Sequence, residues 1–314
     1  MFERIFVPLD GSARAERALD VAAHIARASH GKIILVCIIN HFILGALASP
    51  VLANLQSAED TWSIDDAETY LQSLVDAPEL SGLWTEKAVM SGPIAATLVN
   101  AAATYSANLI VMCSHGHSGV VSRPLGSVAE KVVCRTTIPV LLLREHGTLP
   151  IEPYLDAGKP LRILVALNNS SSSHAILKPT AELAVSLVGP ASGILHLIRV
   201  TAPTELTPQT PGQQGEPDRE PTLSMAITDL PEDPLADYKI AARWDALESR
   251  DVAEALVQIK ETEAGNGTKD SNACKVIAIA THELAGYQQF PRGSVAARVM
   301  AETTLPIFFA HTPA

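Results

Sequence analysis

Residues 113 to 127 read CSHGHSGVVSRPLGS, a set of residue types suited to holding an anion. Gly116 and Gly126 stand ten positions apart, and Ser127 follows the second glycine at the start of a helix-like segment. Glycine weakens a helix interior and Pro124 cannot sit inside one, so the stretch reads as a loop between regular elements. A helix N-terminus presents unpaired N–H groups and partial positive charge, which favours phosphate. Ser127-x-x-Glu130 matches a capping box at that start, and Gly126 would let backbone amides reach an anion with no Cβ in the way. No lysine follows the second glycine, so this is not a Walker A loop. An ordinary turn before a capped helix is the competing reading.

Asp10, in PLDGS, is the second candidate. It reads either as a carboxylate serving a ligand or as the cap of the helix that follows Gly11. His115 and His117 read as loop residues, since no carboxylate or cysteine stands at ligand spacing. Arg123 could neutralise a phosphate or simply be solvated. Cys113 is a redox-sensitive thiol or an inert cysteine at a strand end, and Ser118 and Ser122 read as modification sites or as plain loop serines. There is no GxSxG, no HExxH and no pair of loop carboxylates, so turnover is not supported.

These residues must be held by regular elements, and the sequence supplies them twice. RIFVPLDGSARAERALDVAAHIA from Arg4 parallels RILVALNNSSSSHAILKPTAELA from Arg162. KIILVCII from Lys32 parallels SGILHLIRV from Ser192, and NLIVMCSHGHSGVVSRPLGSVAEKVV from Asn108 parallels KVIAIATHELAGYQQFPRGSVAARVM from Lys275. IPVLLLR at Ile138 parallels LPIFFAH at Leu305. Four matched blocks in one order indicate a duplicated unit of about 150 residues. In the first copy strands are expected at 4–9, 32–39, 84–90, 108–113 and 138–144, and helices at about 13–30, 57–75, 93–106 and 127–135. Alternation of strands and helices predicts an α/β fold: two tandem doubly wound, five-stranded parallel-sheet domains of Rossmann-like type. The near-continuous apolar strands agree with a sheet covered on both faces.

The domain reading is 1–146, a linker at 147–159, and 160–314. Residues 201–240 carry seven prolines, eight acidic and two basic residues, and read as a flexible insertion. The chain has 314 residues and a formal net charge of -11, which speaks against wrapping nucleic acid. Ile33 to Leu55 approaches the length of a membrane span, but Asn40-His41, Gly45 and Pro50 break it, so no span is expected. Phe42 to Leu55 is read as a segment covering a core edge or as a contact surface for a protein partner. The N-terminus lacks the pattern of a signal peptide, and the four cysteines form no CxxC pair. The default setting is therefore a reducing cytoplasm.

With PLDGS, SHG and LGSVAEKVV in place, the sequence resembles a tandem universal stress protein over residues 1–146 and 160–312. ATP-binding members of that family carry G-x2-G-x9-G-S/T after the fourth strand and an aspartate closing the first. Here the register falls on Cys113, Gly116, Gly126 and Ser127, with Asp10 as the aspartate. The resemblance implies ATP with Mg²⁺ between the first and fourth strands. Ser127 and the loop would hold phosphates, Asp10 would serve the ribose and metal region, and backbone near Ile38 would face adenine. The implied nucleotide-binding set is Pro8, Leu9, Asp10, Gly11, Ser12, Ile38, Met112, Cys113, Gly116, His117, Gly126, Ser127 and Val128, with Asp10 at the metal. At most slow ATP hydrolysis would follow. Cys113 departs from the family's first glycine: either its small side chain is tolerated there or its Cβ and sulfur crowd the ligand. The second copy departs further: Asn168, Asn169, Ala280 and Glu283 stand where the first has Asp10, Gly11, Cys113 and Gly116, and only Gly293-Ser294 survives. The second copy is therefore expected to be a degenerate partner, with an uncharged ligand on Asn168, Ser170 and His282 as the alternative. The resemblance also implies pairing through the last strand of each domain, within the chain or in a homodimer.

Overall fold

The structure is a computed structural model, and it describes residues 1–39, 62–116, 126–145, 147, 149–151, 160–167, 171–189, 193–201, 235–249, 251–262, 274–282 and 294–312. In the first half, β1 (Arg4–Leu9), α1 (Ala13–Ser29), β2 (Lys32–Ile39), α2 (Ile64–Val75), β3 (Trp84–Ser91), α3 (Ile94–Thr104), β4 (Leu109–Cys113), α4 (Ser127–Arg135) and β5 (Val140–Leu143) follow one another. The second half runs β6 (Leu161–Leu167), a 3₁₀ segment Ser171–Ile176, α5 (Leu177–Val188), β7 (Gly193–Thr201), β8 (Ala241–Glu248), α6 (Val252–Thr262), β9 (Val276–His282), α7 (Val295–Glu302) and β10 (Ile307–Thr312).

The strands form one ten-stranded sheet in the order β3-β2-β1-β4-β5-β10-β9-β6-β7-β8. Each half contributes five strands in the same relative order, with its first strand in the middle. Neighbours within a half are parallel, as right-handed helix crossovers require. The junction between halves is the antiparallel pair β5–β10, with Val140 opposite Phe309, Leu141 opposite Phe308 and Leu142 opposite Ile307.

Side-chain alternation at this junction feeds two cores, one on each sheet face. Leu141, Leu143, Phe308 and Ala310 join the core beneath α1, α2 and α5. Val140, Leu142, Ile307 and Phe309 join the core beneath α3, α4, α6 and α7. Each core therefore runs through both halves. Phe2 sets its ring edge-on to Phe308, 6.5 Å between centroids, and His24 of α1 bonds the Leu187 carbonyl of α5 at 2.7 Å. Arg17 of α1 donates to the carbonyls of Arg144, Glu145 and Gly147, and Arg14 pairs with Glu145 at 2.9 Å. The chain leaving β5 is thus tied down by α1, and Leu149 and Ile151 beyond it are buried.

Element ends differ from the sequence reading in physically simple ways. The helix expected from about 57 begins at Ile64, because Ser63 and Asp66 form a reciprocal capping box. The last strand of the first half is Val140–Leu143 rather than 138–144: Pro139 has no N–H for the ladder, and Ile138 N–H turns to the Thr136 hydroxyl at 3.1 Å. Of the stretch 201–240, Thr201 belongs to β7 and Ala236–Tyr238 forms a 3₁₀ turn; residues 202–234, like 42–55, lie outside the described residues. Among the described residues no helix is long and apolar enough to cross a membrane.

Candidate functional site

Strand order reverses between β1 and β4, and in a doubly wound sheet that point opens a crevice beyond the strand carboxyl ends. Asp10 follows β1 there. Its Oδ1 accepts from the Ser12 amide at 3.1 Å and from the Ser12 hydroxyl at 2.6 Å. Ser12 in turn caps α1, its Oγ accepting from the Ala15 amide at 3.1 Å. The two readings of Asp10 are thereby separated: Ser12 is the cap, and Asp10 orients it from an exposed position.

Gly116, beyond β4, lies directly against the other carboxylate oxygen, so that any Cβ at 116 would collide with Asp10 Oδ2. Loop and aspartate are in contact. Gly126 brings in the third part, though for a different reason from the one its sequence suggests. Its amide is spent on the Ser114 carbonyl at 2.8 Å, and a Cβ at 126 would stand 2.6 Å from that same oxygen. Gly126 closes the loop onto the end of β4, and its own N–H cannot serve an anion. Gly126→Ala should cost about 1–3 kcal/mol, the usual penalty of forced overpacking. Chemical denaturation checks this, and an unchanged midpoint would contradict the close approach.

The capping box expected at Ser127 does not form as read. Ser127 is already the first residue of α4, Gly126 is the N-cap, and no side chain caps the helix. Helices α1, α2 and α7 are each capped by their own serine, Ser12, Ser63 and Ser294. The start of α4 is built differently: a glycine stands at the cap, leaving first-turn N–H groups without a side-chain acceptor. Ser127 is exposed and Val128 half-buried at that start.

The remaining residues of the expected set divide by direction. Leu9, Met112 and Cys113 are buried in the cores, so what they present at the strand ends is backbone. Pro8, Gly11 and Ile38 are half-buried. His117, Ser118, Ser122, Arg123 and Pro124 lie outside the described residues. His115 is buried and its Nδ1 meets the Ser114 hydroxyl at 3.1 Å. Among the described residues no three His, Cys, Asp or Glu side chains cluster in a way that could hold a metal ion.

The sulfur of Cys113 does not crowd the crevice. It lies in the core under α1 beside Arg17 and Ala18, and burial, opposed by Arg17 and reinforced by Asp10, pushes its thiol up to about 12. Cys37 on β2 is pushed up to about 11 by burial and then by Asp10. With β1 between them, β2 and β4 are about 9–10 Å apart, too far for a disulfide. Both thiols remain protonated and sealed at neutral pH. Because their folded-state values lie above the ordinary 9.0, the folded protein binds these protons more tightly than the unfolded chain. Their stabilising effect is whole below pH 9 and is lost as pH rises through 11 to 12. Alkylation at pH 8 should therefore label none of the four cysteines, all buried, until denaturant is added. Labelling of the native protein at Cys37 or Cys113 would contradict the burial.

Sequence reasoning missed an aromatic wall. Gly11 adopts φ +83, and a Cβ there would come within 2.6 Å of Trp62 Cη2. Trp62 meets Tyr70 edge-on, 4.9 Å between centroids, and the Tyr70 hydroxyl donates to Glu16 at 3.0 Å. Burial raises the Tyr70 hydroxyl, with Glu16 and Asp10 adding to the effect. The one legible signal was Ser63-x-x-Asp66, which places Trp62 just ahead of a helix start.

Fold and crevice define a doubly wound α/β protein with its candidate site at the first half's switch point. Residues 1–144 match the Universal stress protein family. A universal stress protein of Thermus aquaticus is 34% identical over 145 residues, which span 46% of this chain and all of that protein. One of Bacillus subtilis is 28% identical over 148 residues, again all of its length. The crystal structure of a universal stress protein from Archaeoglobus fulgidus superposes with a TM-score of 0.65 at 19% identity, covering 98% of this chain and 96% of that one. That likeness concerns the fold, and it extends through both halves. The chain belongs to the universal stress protein family, and its first half is a universal stress protein domain.

Proposed function

We propose that the first half binds ATP with Mg²⁺ and that occupancy changes the shape or partner affinity of a stress-response regulator. The observation that carries this reading is the gathering of Asp10, Gly116 and the glycine-capped start of α4 at one switch point. The parts suit the ligand. Magnesium takes one or two protein carboxylates and completes its shell with phosphate and water oxygens. Asp10 offers one exposed carboxylate, already held in place through Ser12. The first-turn amides of α4 would take phosphate oxygens, and the strand ends at Pro8, Ile38 and Met112 would line the base and ribose. Bound Mg²⁺ would offset phosphate charge. The reading is regulatory, with slow ATP hydrolysis as its catalytic alternative.

A nucleotide-free interaction scaffold is the alternative, motivated by Cys113 and by the degenerate second copy; the burial of Cys113 under α1 weakens the first motive and leaves the second. Because β5 and β10 pair with each other, neither is a free edge, and among the described residues the sheet edges are β3 and β8. The test is mass spectrometry of the small molecule released on denaturing freshly purified protein, with thermal melts in ATP and Mg²⁺. Adenine nucleotide in the supernatant and a raised melting temperature are expected. Neither, at millimolar ATP, would overturn the reading.

A further inference from the structure

Equivalent positions in the two halves carry opposite chemistry. Leu9 ends β1 opposite Cys37, and Leu167 ends β6 opposite Arg199, so Arg199 occupies the place of Cys37. Counting onward from those strand ends, Asn168 replaces Asp10 and His174 replaces Glu16. In the first half this place is acidic, with Glu16 bonded to Tyr70 and Asp10 felt by Cys37 and Tyr70. In the second it carries a guanidinium and an imidazole and has lost both carboxylates.

Both ring nitrogens of His174 and the Nε of Arg199 are buried with no hydrogen-bond partner among the described residues. Arg199 lies within electrostatic reach of His174: burial and then Arg199 lower the proton affinity of the imidazole. Buried donors without acceptors are costly. A guanidinium only donates, so what it lacks is an acceptor, and a negatively charged acceptor gives the strongest bond. Helix α7 starts differently from α4: Ser294 accepts from the Ala297 amide at 3.2 Å, so one of its first-turn N–H groups is already bonded.

We propose that the second half holds a small anion directly on Arg199 and His174, without metal, the anion bearing a carboxylate or a phosphate group. A planar guanidinium fork matches either group. The second copy is then a site of changed specificity rather than an empty one, and its ligand is charged, unlike the uncharged one suggested by Asn168 and Ser170.

The test uses the full chain in chloride buffer, titrated separately with succinate and inorganic phosphate by calorimetry. The His174 ring proton is followed by NMR and assigned by its loss in His174→Gln. One of the two anions should bind and move that resonance, which tells carboxylate from phosphate. Arg199→Met should weaken binding by about tenfold or more, and Trp84→Ala, exposed on the edge strand β3 of the first half, should leave it unchanged. Should Arg199→Met fail to fold, the resonance in the unaltered protein and the affinity of His174→Gln decide. An unmoved resonance with both anions, or unaltered affinity in Arg199→Met, would overturn the proposal. So would movement produced by ATP and Mg²⁺ alone. Absence of ATP binding to the first half bears on the earlier reading and leaves this one intact.

Discussion

Phe308→Ala should lower the stability of the whole protein by about 3–5 kcal/mol, the usual loss for a fully buried phenylalanine. Phe308 is 0% exposed, lies opposite Leu141 across the β5–β10 junction and packs edge-on against Phe2. Truncation opens a cavity where the two halves share a core, and the chain ties from Arg14 and Arg17 to 144–147 do not refill it. Urea unfolding followed by fluorescence and by circular dichroism measures the effect. The matched control is Trp84→Ala. Trp84 is 71% exposed on the edge strand β3, with Lys32 Nζ 5.6 Å from its ring, so its loss should cost about 1 kcal/mol or less. Equal costs for the two aromatics would refute a core running through the junction.

The second large effect concerns ligand affinity. Asp10→Asn keeps an oxygen for the Ser12 amide and hydroxyl but removes the charge, so the start of α1 should stay intact. ATP affinity in Mg²⁺ should fall about 10- to 100-fold, the range expected for a charge-assisted contact, while the melting temperature without ligand holds within a few degrees. Gly116→Ala reaches the same end by another route. Its Cβ would displace the Asp10 carboxylate, the mobile end of a side chain, so affinity should fall with little loss of fold. Isothermal titration of both variants gives the answer. Full ATP affinity in both would remove Asp10 from the site.

Much of the fold was legible because each half repeats the same order of apolar strands and helices. PLDGS and Gly116 could be placed beyond strand ends, and GSV at a helix start, from spacing alone. The direction of side chains was less legible. Cys113 stands at the family's glycine position, yet strand alternation sends its sulfur into the core. Ser127 and Ser294 are aligned in sequence, but one lies inside its helix and the other caps its own. Trp62 reaches Gly11 from more than fifty positions away, beyond any local signal.

The sequence by itself determined the α/β alternation, the duplication and the chemical types available at the strand ends, because period and turn chemistry are local properties of the chain. Only the tertiary structure decided the use of each glycine and the depth of each thiol. It also decided that β5 and β10 pair within one chain and set His174 within electrostatic reach of Arg199, since each depends on which distant strand lies alongside and which face its side chains take.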